Sequence, residues 1–260
     1  MAAPAAPPLL RVVEREAQVF RHLWRGSVFS SVLTPLLFLG AMGVGLGGLI
    51  DERSGDVNGF DYLVFVTPGL MAASAMQTAA GESLWPVMAG TKWIRTFHAM
   101  VATPVTPADV YGGFVVWRAL HVAGASALFL VVAALLGGVV SWWGLLAVPA
   151  ATLCAAAFCA GLSAFAVGRE TDQAFPIIMR LGIVPLFLFS GTFFPVEQLP
   201  DALEPLAVLS PLWHGVELTR GATTGSLGAT EALVHTTVLA AIIAVAWRIG
   251  TRAFDRRLTA

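Results

Sequence analysis

The residue types that carry out catalysis occur in this chain, but not at the spacing that catalysis needs. Lys92 is the only lysine and follows Gly90 and Thr91, so the chain has no phosphate-binding Gly-x4-Gly-Lys loop. Ser163 lies in the sequence GLSAF, which lacks the second glycine of a nucleophile elbow. None of the five histidines belongs to a His-Glu-x-x-His zinc motif: His22, His98, His121, His214 and His235.

We therefore expect no catalytic residue in this chain, no ATPase site, and no metal or cofactor bound by it. The two cysteines, Cys154 and Cys159, are too few for a disulfide framework or a cysteine-built metal site. We interpret them as small packing residues. A net charge of −1 also argues against a nucleic-acid partner, which would require a basic face.

The composition indicates where such a chain resides. Of its 260 residues, 57% are hydrophobic and 12% are charged, whereas a soluble domain carries about 25% charged residues. The mean hydropathy is +0.78. So few charges cannot cover the surface of a soluble globule of this size, so we predict an all-α, polytopic integral membrane protein that forms one domain over residues 1–260.

Six stretches are long and apolar enough to cross a bilayer. A hydrocarbon core about 30 Å thick requires roughly 20 apolar residues per helical span. The predicted spans cover residues 30–50, 62–80, 114–140, 145–167, 175–194 and 232–247. Pro176 and Pro185 predict a kink or partial re-entry in the fifth span. No cleavable signal peptide is expected, because the residues after the Pro-rich start are charged rather than continuously apolar.

The charges predict the orientation of these spans. The two termini and the loops on the same side of the membrane carry 13 basic and 7 acidic residues, and the loops on the other side carry 2 basic and 9 acidic residues. Because basic residues favour the cytoplasmic side of a membrane, both termini are predicted to be cytoplasmic in a multi-pass plasma-membrane protein. Although the net charge is near zero, basic and acidic residues are therefore predicted to lie largely on opposite sides of the membrane.

Residues 9–25 predict an amphipathic helix. Its apolar face includes Leu9, Val12, Phe20 and Trp24, and basic side chains occupy much of the remainder. Such a helix is expected to lie in the cytoplasmic interface. It is interpreted as a membrane-surface anchor, a surface for a cytoplasmic partner, or both.

The loop at 81–106 is the longest predicted cytoplasmic insertion. It predicts a helix over about residues 87–102 that is stopped by Pro104 and Pro107, with Asp109 near the start of the next helix. Its apolar side chains require burial, either against another protein or against the ends of the chain's own spans. Both alternatives remain open from the sequence.

The predicted external segment, residues 195–230, alternates prolines with short apolar stretches. It is too interrupted to span the membrane, so we expect two short re-entrant or interfacial helices. The segment is interpreted either as a gate or as a simple outer lid.

Polar groups are scarce inside the predicted spans. Arg118, His121, Arg180, His235 and Arg248 are expected near span ends, where their side chains reach the headgroups. No span carries Asp or Glu at mid-depth, which disfavours an ion-coupled carrier. Any uphill transport would therefore draw its energy from another subunit.

The sequence resembles the permease subunit of type-2 ABC exporters from about residue 20 onward. The most telling stretches are PLLFLGAMGVGLGG at 35–48, FVTPGLMAASAM at 65–76, FHAMVATPVTPADV at 97–110, LFLFSGTFFPVEQLP at 186–200 and PLWHGVELTRG at 211–221. The last two are similar to the subgroup that exports lipo-oligosaccharide nodulation signals, and more loosely to daunorubicin-resistance permeases.

This resemblance implies a dimeric permease, formed with a second identical or closely related chain and joined to two copies of a separate ATP-binding subunit. ATP and Mg would be bound by that subunit, and an amphipathic lipid-like, glycolipid or drug substrate would leave the cell through the membrane. The implied ATPase-coupling residues are Trp93, Arg95, Phe97 and His98. The implied outer gate consists of Phe193, Phe194, His214 and Arg220.

Small residues are also dense in the first span. Gly43 and Gly47 form a Gly-x3-Gly pair, which allows close helix packing, although glycine is frequent in membrane helices generally. The chain has little cytoplasmic mass, so long-polysaccharide export with chain-length recognition is disfavoured. The alternatives to an exporter are a non-transporting membrane scaffold and, less favoured, an ion-coupled secondary carrier.

Overall fold

A computed structural model describes residues 7–28, 33–54, 57 and 59–259. Within these ranges the chain is helical apart from turns and connections, and it forms no β-strand beyond an isolated bridge between Val57 and Phe60. The prediction of an all-α protein is confirmed.

Helix α1, Pro8–Val28, lies lengthwise against helix α6. A side chain at Gly113 would collide with Val12, and farther along both helices the rings of Phe20 and Trp117 are 5.7 Å apart. The two helices therefore run in the same direction over about two turns of α1. The predicted amphipathic helix exists, and its apolar face covers α6.

The first predicted span corresponds to one continuous helix. It comprises α2, Thr34–Phe38, a π-helical stretch, Leu39–Leu46, and α3, Gly47–Ser54. Residues 29–32 lie outside the described residues, so the predicted start at residue 30 has no structural counterpart. At its other end the helix continues past the predicted boundary at Ile50.

Helix α4, Tyr62–Met88, continues through a π-helical turn, Ala89–Trp93, and so is much longer than the predicted span 62–80. The predicted helix over 87–102 is wrong as a single element. Arg95 adopts a left-handed conformation with φ 60°, which interrupts the helix, and α5 then covers Thr96–Val101.

Helix α6, Pro107–Leu135, begins with a capping box. The Thr106 hydroxyl accepts a hydrogen bond from the Asp109 backbone N–H, and the Asp109 carboxylate accepts one from the Thr106 N–H. The expected position of Asp109 at a helix start is confirmed. The helix ends before the predicted boundary at residue 140, because a turn through Gly137, with φ 84°, reverses the chain.

The next two apolar stretches are interrupted helices. A 3₁₀ turn, Trp142–Leu146, leads directly into α7, Ala147–Val167. The stretch after the following turn consists of α8, Ala174–Ile177, a π-helical stretch, Ile178–Ile183, and α9, Val184–Phe189.

The final part of the chain contains three helices. A 3₁₀ turn at Val196–Gln198 precedes α10, Glu204–Val208, and α11, Pro211–Thr224. Helix α12 covers Ala229–Thr259. It therefore extends well beyond the predicted sixth span, 232–247.

Contacts between helices define two ends of the bundle. At the α5 end, Phe97 packs on Phe254 near the end of α12. At the α11 end, the backbone N–H of Val140 donates to the carbonyl of Thr223. The long helices alternate in direction, so the start of α1 and the end of α12 both lie at the α5 end.

Helices α4 and α7 form the centre of the bundle. Helix α7 packs against α4, α6, α11 and α12. In the most apolar stretch of α4, 78% of the residues are buried, against 17% in α12. Among the residues that the structure describes, four helices are long and apolar enough to cross a membrane, and the shorter apolar helices at Thr34–Ile50 and Ala174–Phe189 correspond to the first and fifth predicted spans.

Candidate functional site

An aromatic cluster anchors helix α5. The ring of Phe97 lies 5.9 Å from that of Phe114 and 5.8 Å from that of Phe254. Gly90 gives it room, because a Cβ atom there would lie 2.7 Å from the Phe97 ring. Phe97 is 3% exposed and so is an internal anchor of this end rather than part of its surface.

The turn before α5 presents large side chains to the outside. Trp93 is 59% exposed and Ile94 is 71% exposed, and Arg95 beside them is also exposed. The left-handed conformation of Arg95 turns the chain sharply between the end of α4 and the start of α5. The structure thus places the implied coupling residues at one end, with Phe97 inside and Trp93 and Arg95 outside.

A carboxylate ties three helix ends together here. Glu170, in the turn after α7, pairs with Lys92, and its other oxygen lies 2.9 Å from the Arg257 guanidinium. The hydrogen bonds from Lys92 and then from Arg257 lower the pKa of Glu170. The tie links the end of α4 with α12.

A buried ion network joins α1, α4 and α6. The Arg118 guanidinium lies 3.1 Å from a Glu16 carboxylate oxygen and 3.4 Å from a Glu82 oxygen, and His121 Nδ1 lies 3.0 Å from Glu82. The Glu16 and Arg118 side chains are only 7% and 15% exposed. Arg118 therefore pairs inside the protein, and the expectation that it reaches the headgroups is wrong. Sequence reasoning missed this network because its members are separated by up to 105 residues.

A polar cavity of about 280 Å³ opens next to this network, between α2 and α4. Ser74, Gln77, Thr78 and Glu82 line it from α4, and Thr34 lines it from α2. Hydroxyl, amide and carboxylate groups thus face one open space beside the ion network.

At the opposite end, the segment after α9 is wedged between helices. A Cβ atom at Gly69 of α4 would lie 2.6 Å from the carbonyl oxygen of Thr192, so only glycine permits this approach. The hydroxyls of Ser190 and Ser210 are 2.9 Å apart and share a hydrogen bond. The external segment is therefore packed into the bundle rather than lying loosely over it.

Arg220 of α11 holds this segment in place. It donates a hydrogen bond to the carbonyl of Gly191, pairs with Glu217 at 2.9 Å and stacks over the Phe65 ring at 4.1 Å. Burial lowers the pKa of Arg220, and Glu217 opposes that effect. The guanidinium thus joins α4, α11 and the turn after α9.

Two buried histidines face each other at the same end. Nδ1 of His214 and Nδ1 of His235 are 2.8 Å apart, and the Trp213 ring packs edge-on against both rings. One Nδ1 must donate and the other accept, so the pair holds at most one proton between these atoms. This pairing joins α11 to α12.

The two implied gate phenylalanines belong to different clusters. The Phe193 ring packs against Phe187 at 5.1 Å, whereas Phe194 packs among Val196, Leu199 and Trp213. Phe194 and Trp213, the neighbour of His214, thus pack on the same small cluster, while Phe193 packs against the central core. The structure brings the four implied gate residues to one end but not into one contact.

Gly43 and Gly47 lie against the start of α4. A Cβ atom at Gly43 would lie 2.5 Å from Leu63, and one at Gly47 would lie 3.8 Å from the Tyr62 ring. Gly43 therefore allows the close approach of the first apolar helix to α4, whereas Gly47 has ordinary space around it.

Among the described residues, no group of three or more His, Cys, Asp or Glu side chains is arranged to hold a metal ion. Cys154 and Cys159 are free and buried within α7. Many polar groups of the described chain thus form ties between helices, and others line the cavity between α2 and α4.

Comparison with known proteins identifies relatives of the whole chain. Residues 9–223 match the ABC-2 type transporter family. Nodulation protein J of Rhizobium leguminosarum bv. viciae is 32% identical over 96% of this chain and 94% of its own length. Nodulation protein J of Rhizobium meliloti is 29% identical over 96% and 93%. The inner membrane transport permease YadH of Escherichia coli is 27% identical over 86% and 84%.

Proposed function

Because this chain belongs to the ABC-2 type transporter family, it is a membrane permease subunit, and we propose that it moves an amphipathic substrate out of the cell. Energy would come from two copies of a separate ATP-binding subunit, which would bind ATP and Mg. A second copy of this permease, or a closely related chain, would complete the path.

Six membrane crossings with both termini in the cytoplasm are part of this proposal. The alternation of the long helices supports it, because the start of α1 and the end of α12 lie at the same end. The charges support the direction: Lys92, Arg169 and Arg257 lie at the α5 end, and Glu197, Asp201 and Glu204 lie at the α11 end. By the positive-inside rule, the α5 end would face the cytoplasm.

The α5 end would couple the permease to the ATPase. The exposure of Trp93 and Arg95 carries this proposal, since an exposed Trp beside an Arg is typical of interface anchors. Phe97 would transmit force, because its ring is packed among residues of α6 and α12. His98 would lie at the rim of this surface.

The α11 end would form the outer gate. Arg220 fastens the turn after α9 to α11, and the histidine pair fastens α11 to α12. Opening would have to release these ties together with the packing of Phe193 and Phe194. Polar cores with two alternative arrangements are the usual basis of such movements.

An amphipathic substrate suits the surfaces that the chain offers. The outer faces of the bundle are apolar, whereas the cavity between α2 and α4 offers hydroxyl, amide and carboxylate groups. A substrate with a lipid tail and a polar head, such as a glycolipid or an amphipathic drug, would satisfy both.

Co-purification tests the coupling proposal. We expect the chain to retain a soluble ABC ATP-binding subunit, and the double substitution Trp93→Ala with Arg95→Glu to weaken that retention by at least tenfold. Trp142→Ala is the control, because Trp142 is 82% exposed at the opposite end. Equal retention by both variants would contradict a coupling role for the α5 end. Reconstituted permease and ATPase that show no ATP-dependent flux would contradict the transport function.

A further inference from the structure

A basic cavity lies at the α5 end, between the end of α4, helix α5 and the end of α12. Its volume is about 530 Å³, and it is lined by Thr91, Lys92, Arg95, His98 and Arg257. Four of these five side chains are cationic or can become cationic. The cavity therefore concentrates positive charge in a space large enough for an anionic group.

The charges around this cavity are only partly neutralised within the described chain. Glu170 pairs with Lys92 and with Arg257. No described carboxylate pairs with Arg95, and Nδ1 of His98 is buried without a hydrogen-bond partner among the described residues. The single carboxylate of Glu170 thus balances only part of the charge of Lys92, Arg95 and Arg257. The unsatisfied Nδ1 atom of His98 costs free energy unless a ligand supplies its hydrogen-bond partner.

The positive charges around the cavity also act on the histidine. Burial lowers the pKa of His98, and the positive charges of Arg95, Arg257 and Lys92 lower it further. An anion in the cavity would offset this repulsion, because it would pair with the cations that now face one another.

The backbone at Arg95 is held in an unusual conformation. Its φ of 60° lies in the left-handed region, and Arg95 is the only described residue other than glycine with a positive φ. Such a conformation costs free energy and tends to persist where it positions a functional side chain. Here the residue in this conformation contributes to the lining of the cavity.

We propose that this cavity binds the phosphate of an anionic phospholipid headgroup, with Arg95, Arg257 and Lys92 as cationic ligands and His98 as an additional hydrogen-bond partner. The exposed Ile94 side chain lies next to the cavity residue Arg95 in the chain, where it would enter the membrane interface beside the headgroup. Basic pockets at the ends of membrane helices are suited to such lipids. Binding does not depend on transport, whereas its assignment to the inner leaflet rests on the proposed orientation.

Native mass spectrometry of the detergent-purified full chain tests the site. Dioleoyl phosphatidylglycerol is the anionic probe, and dioleoyl phosphatidylcholine is the neutral comparison. We expect tighter binding of phosphatidylglycerol, and a loss of about tenfold in its affinity in Arg95→Gln, because one charge-assisted contact is removed. Arg256→Gln is the matched control, since Arg256 is exposed on the same helix as Arg257 but does not line the cavity.

A substitution that should strengthen lipid binding distinguishes an effect on the site from general structural damage. Glu170→Gln removes the carboxylate that competes for Lys92 and Arg257, so it should tighten phosphatidylglycerol binding several-fold. A folding defect would weaken binding instead. Weaker or unchanged lipid binding in Glu170→Gln, or equal losses in Arg95→Gln and Arg256→Gln, would overturn the proposal.

Two further measurements distinguish the source of the anion. Inorganic phosphate, titrated calorimetrically in the absence of added lipid, should bind at least tenfold more weakly than the lipid. Tighter binding of inorganic phosphate would assign the site to a soluble anion and contradict a lipid site. If Arg95→Gln leaves phosphatidylglycerol binding intact but releases the ATP-binding subunit, the cavity is a docking site for acidic protein side chains and the lipid proposal fails.

Discussion

At the scale of single residues, polar side chains that the sequence suggests are exposed or isolated are paired in the structure. Arg118 is expected from the sequence to reach the headgroups, yet it pairs with two carboxylates inside the protein. His214 and His235 are 21 positions apart and have no motif, yet their Nδ1 atoms are 2.8 Å apart. Residue types alone could not predict these pairs, because each depends on how two helices are rotated toward each other.

The buried histidine pair predicts a pH-dependent stability. Burial, and then the neighbouring His235, lowers the pKa of His214 below its ordinary value of 6.5. As the pH falls through 6.5, the unfolded chain therefore binds more protons at this position than the folded chain, and the free energy of unfolding decreases. Thermal unfolding in detergent at pH 7.5 and pH 5.5 should show a lower Tm at the acidic pH.

Two substitutions isolate the contribution of the pair. His214→Gln should reduce the difference in Tm between the two pH values, whereas His22→Gln should keep it, because His22 is exposed on α1. An unchanged pH dependence in His214→Gln would show that other groups cause it.

At the scale of helices, ties between elements distinguish this bundle from a set of independent spans. The ion network of Glu16, Glu82, Arg118 and His121 binds α1 to α4 and α6. The sequence predicts α1 as a separate amphipathic helix, and its apolar periodicity is enough for that prediction. The side chains it would contact could not be predicted, since the contacts depend on its register along α6.

Breaking the network at its centre should destabilise the protein strongly. Arg118→Met removes the cation that Glu16 and Glu82 share and leaves Glu16 only its half-exposed partner Arg15, so we expect a loss of about 3 kcal/mol in the free energy of unfolding. Denaturant titration in detergent measures this loss. Adding Glu16→Gln and Glu82→Gln to the same chain should restore part of it, because the incompletely paired buried charges are removed.

An exposed arginine provides the control for this series. Arg180→Met should change the free energy of unfolding by less than about 0.5 kcal/mol, because Arg180 is exposed and pairs with no described carboxylate. A loss in Arg118→Met no larger than in Arg180→Met would contradict a stabilising network.

At the scale of the whole molecule, the alternating helices give the protein two chemically different ends. Helix α5 and the end of α12 form one end, with a basic cavity, and the turn after α9 packs into the other. Basic residues such as Lys92 and Arg257 and acidic residues such as Glu197 thus lie at opposite ends of the bundle. This polarity supports the proposed orientation in the membrane.

Cysteine labelling in intact cells tests the orientation. A membrane-impermeant maleimide should label Leu206→Cys directly, because Leu206 is 64% exposed at the α11 end. Arg256→Cys, exposed near the end of α12, should be labelled only after permeabilisation. The unmodified chain is the control, since Cys154 and Cys159 are buried. The reverse pattern would invert the orientation, and labelling of both variants in intact cells would contradict a membrane crossing by α12.

The sequence by itself determined the membrane class, the order of the apolar segments, the charge asymmetry and the position of Asp109 near a helix start. These features are local or additive: hydropathy sums over neighbouring residues, and a capping box needs only four positions. The family resemblance also followed from the sequence, and the match over residues 9–223 confirms it.

Only the tertiary structure decided how far the helices extend and which polar groups meet. Helix α4 runs to Met88 and on through Trp93, so Glu82 lies within a helix and reaches Arg118. The left-handed turn at Arg95 and the burial of α11 likewise result from packing between distant segments. A pairing between helices depends on their register and rotation, which are fixed by contacts along the whole bundle, and no local pattern specifies them.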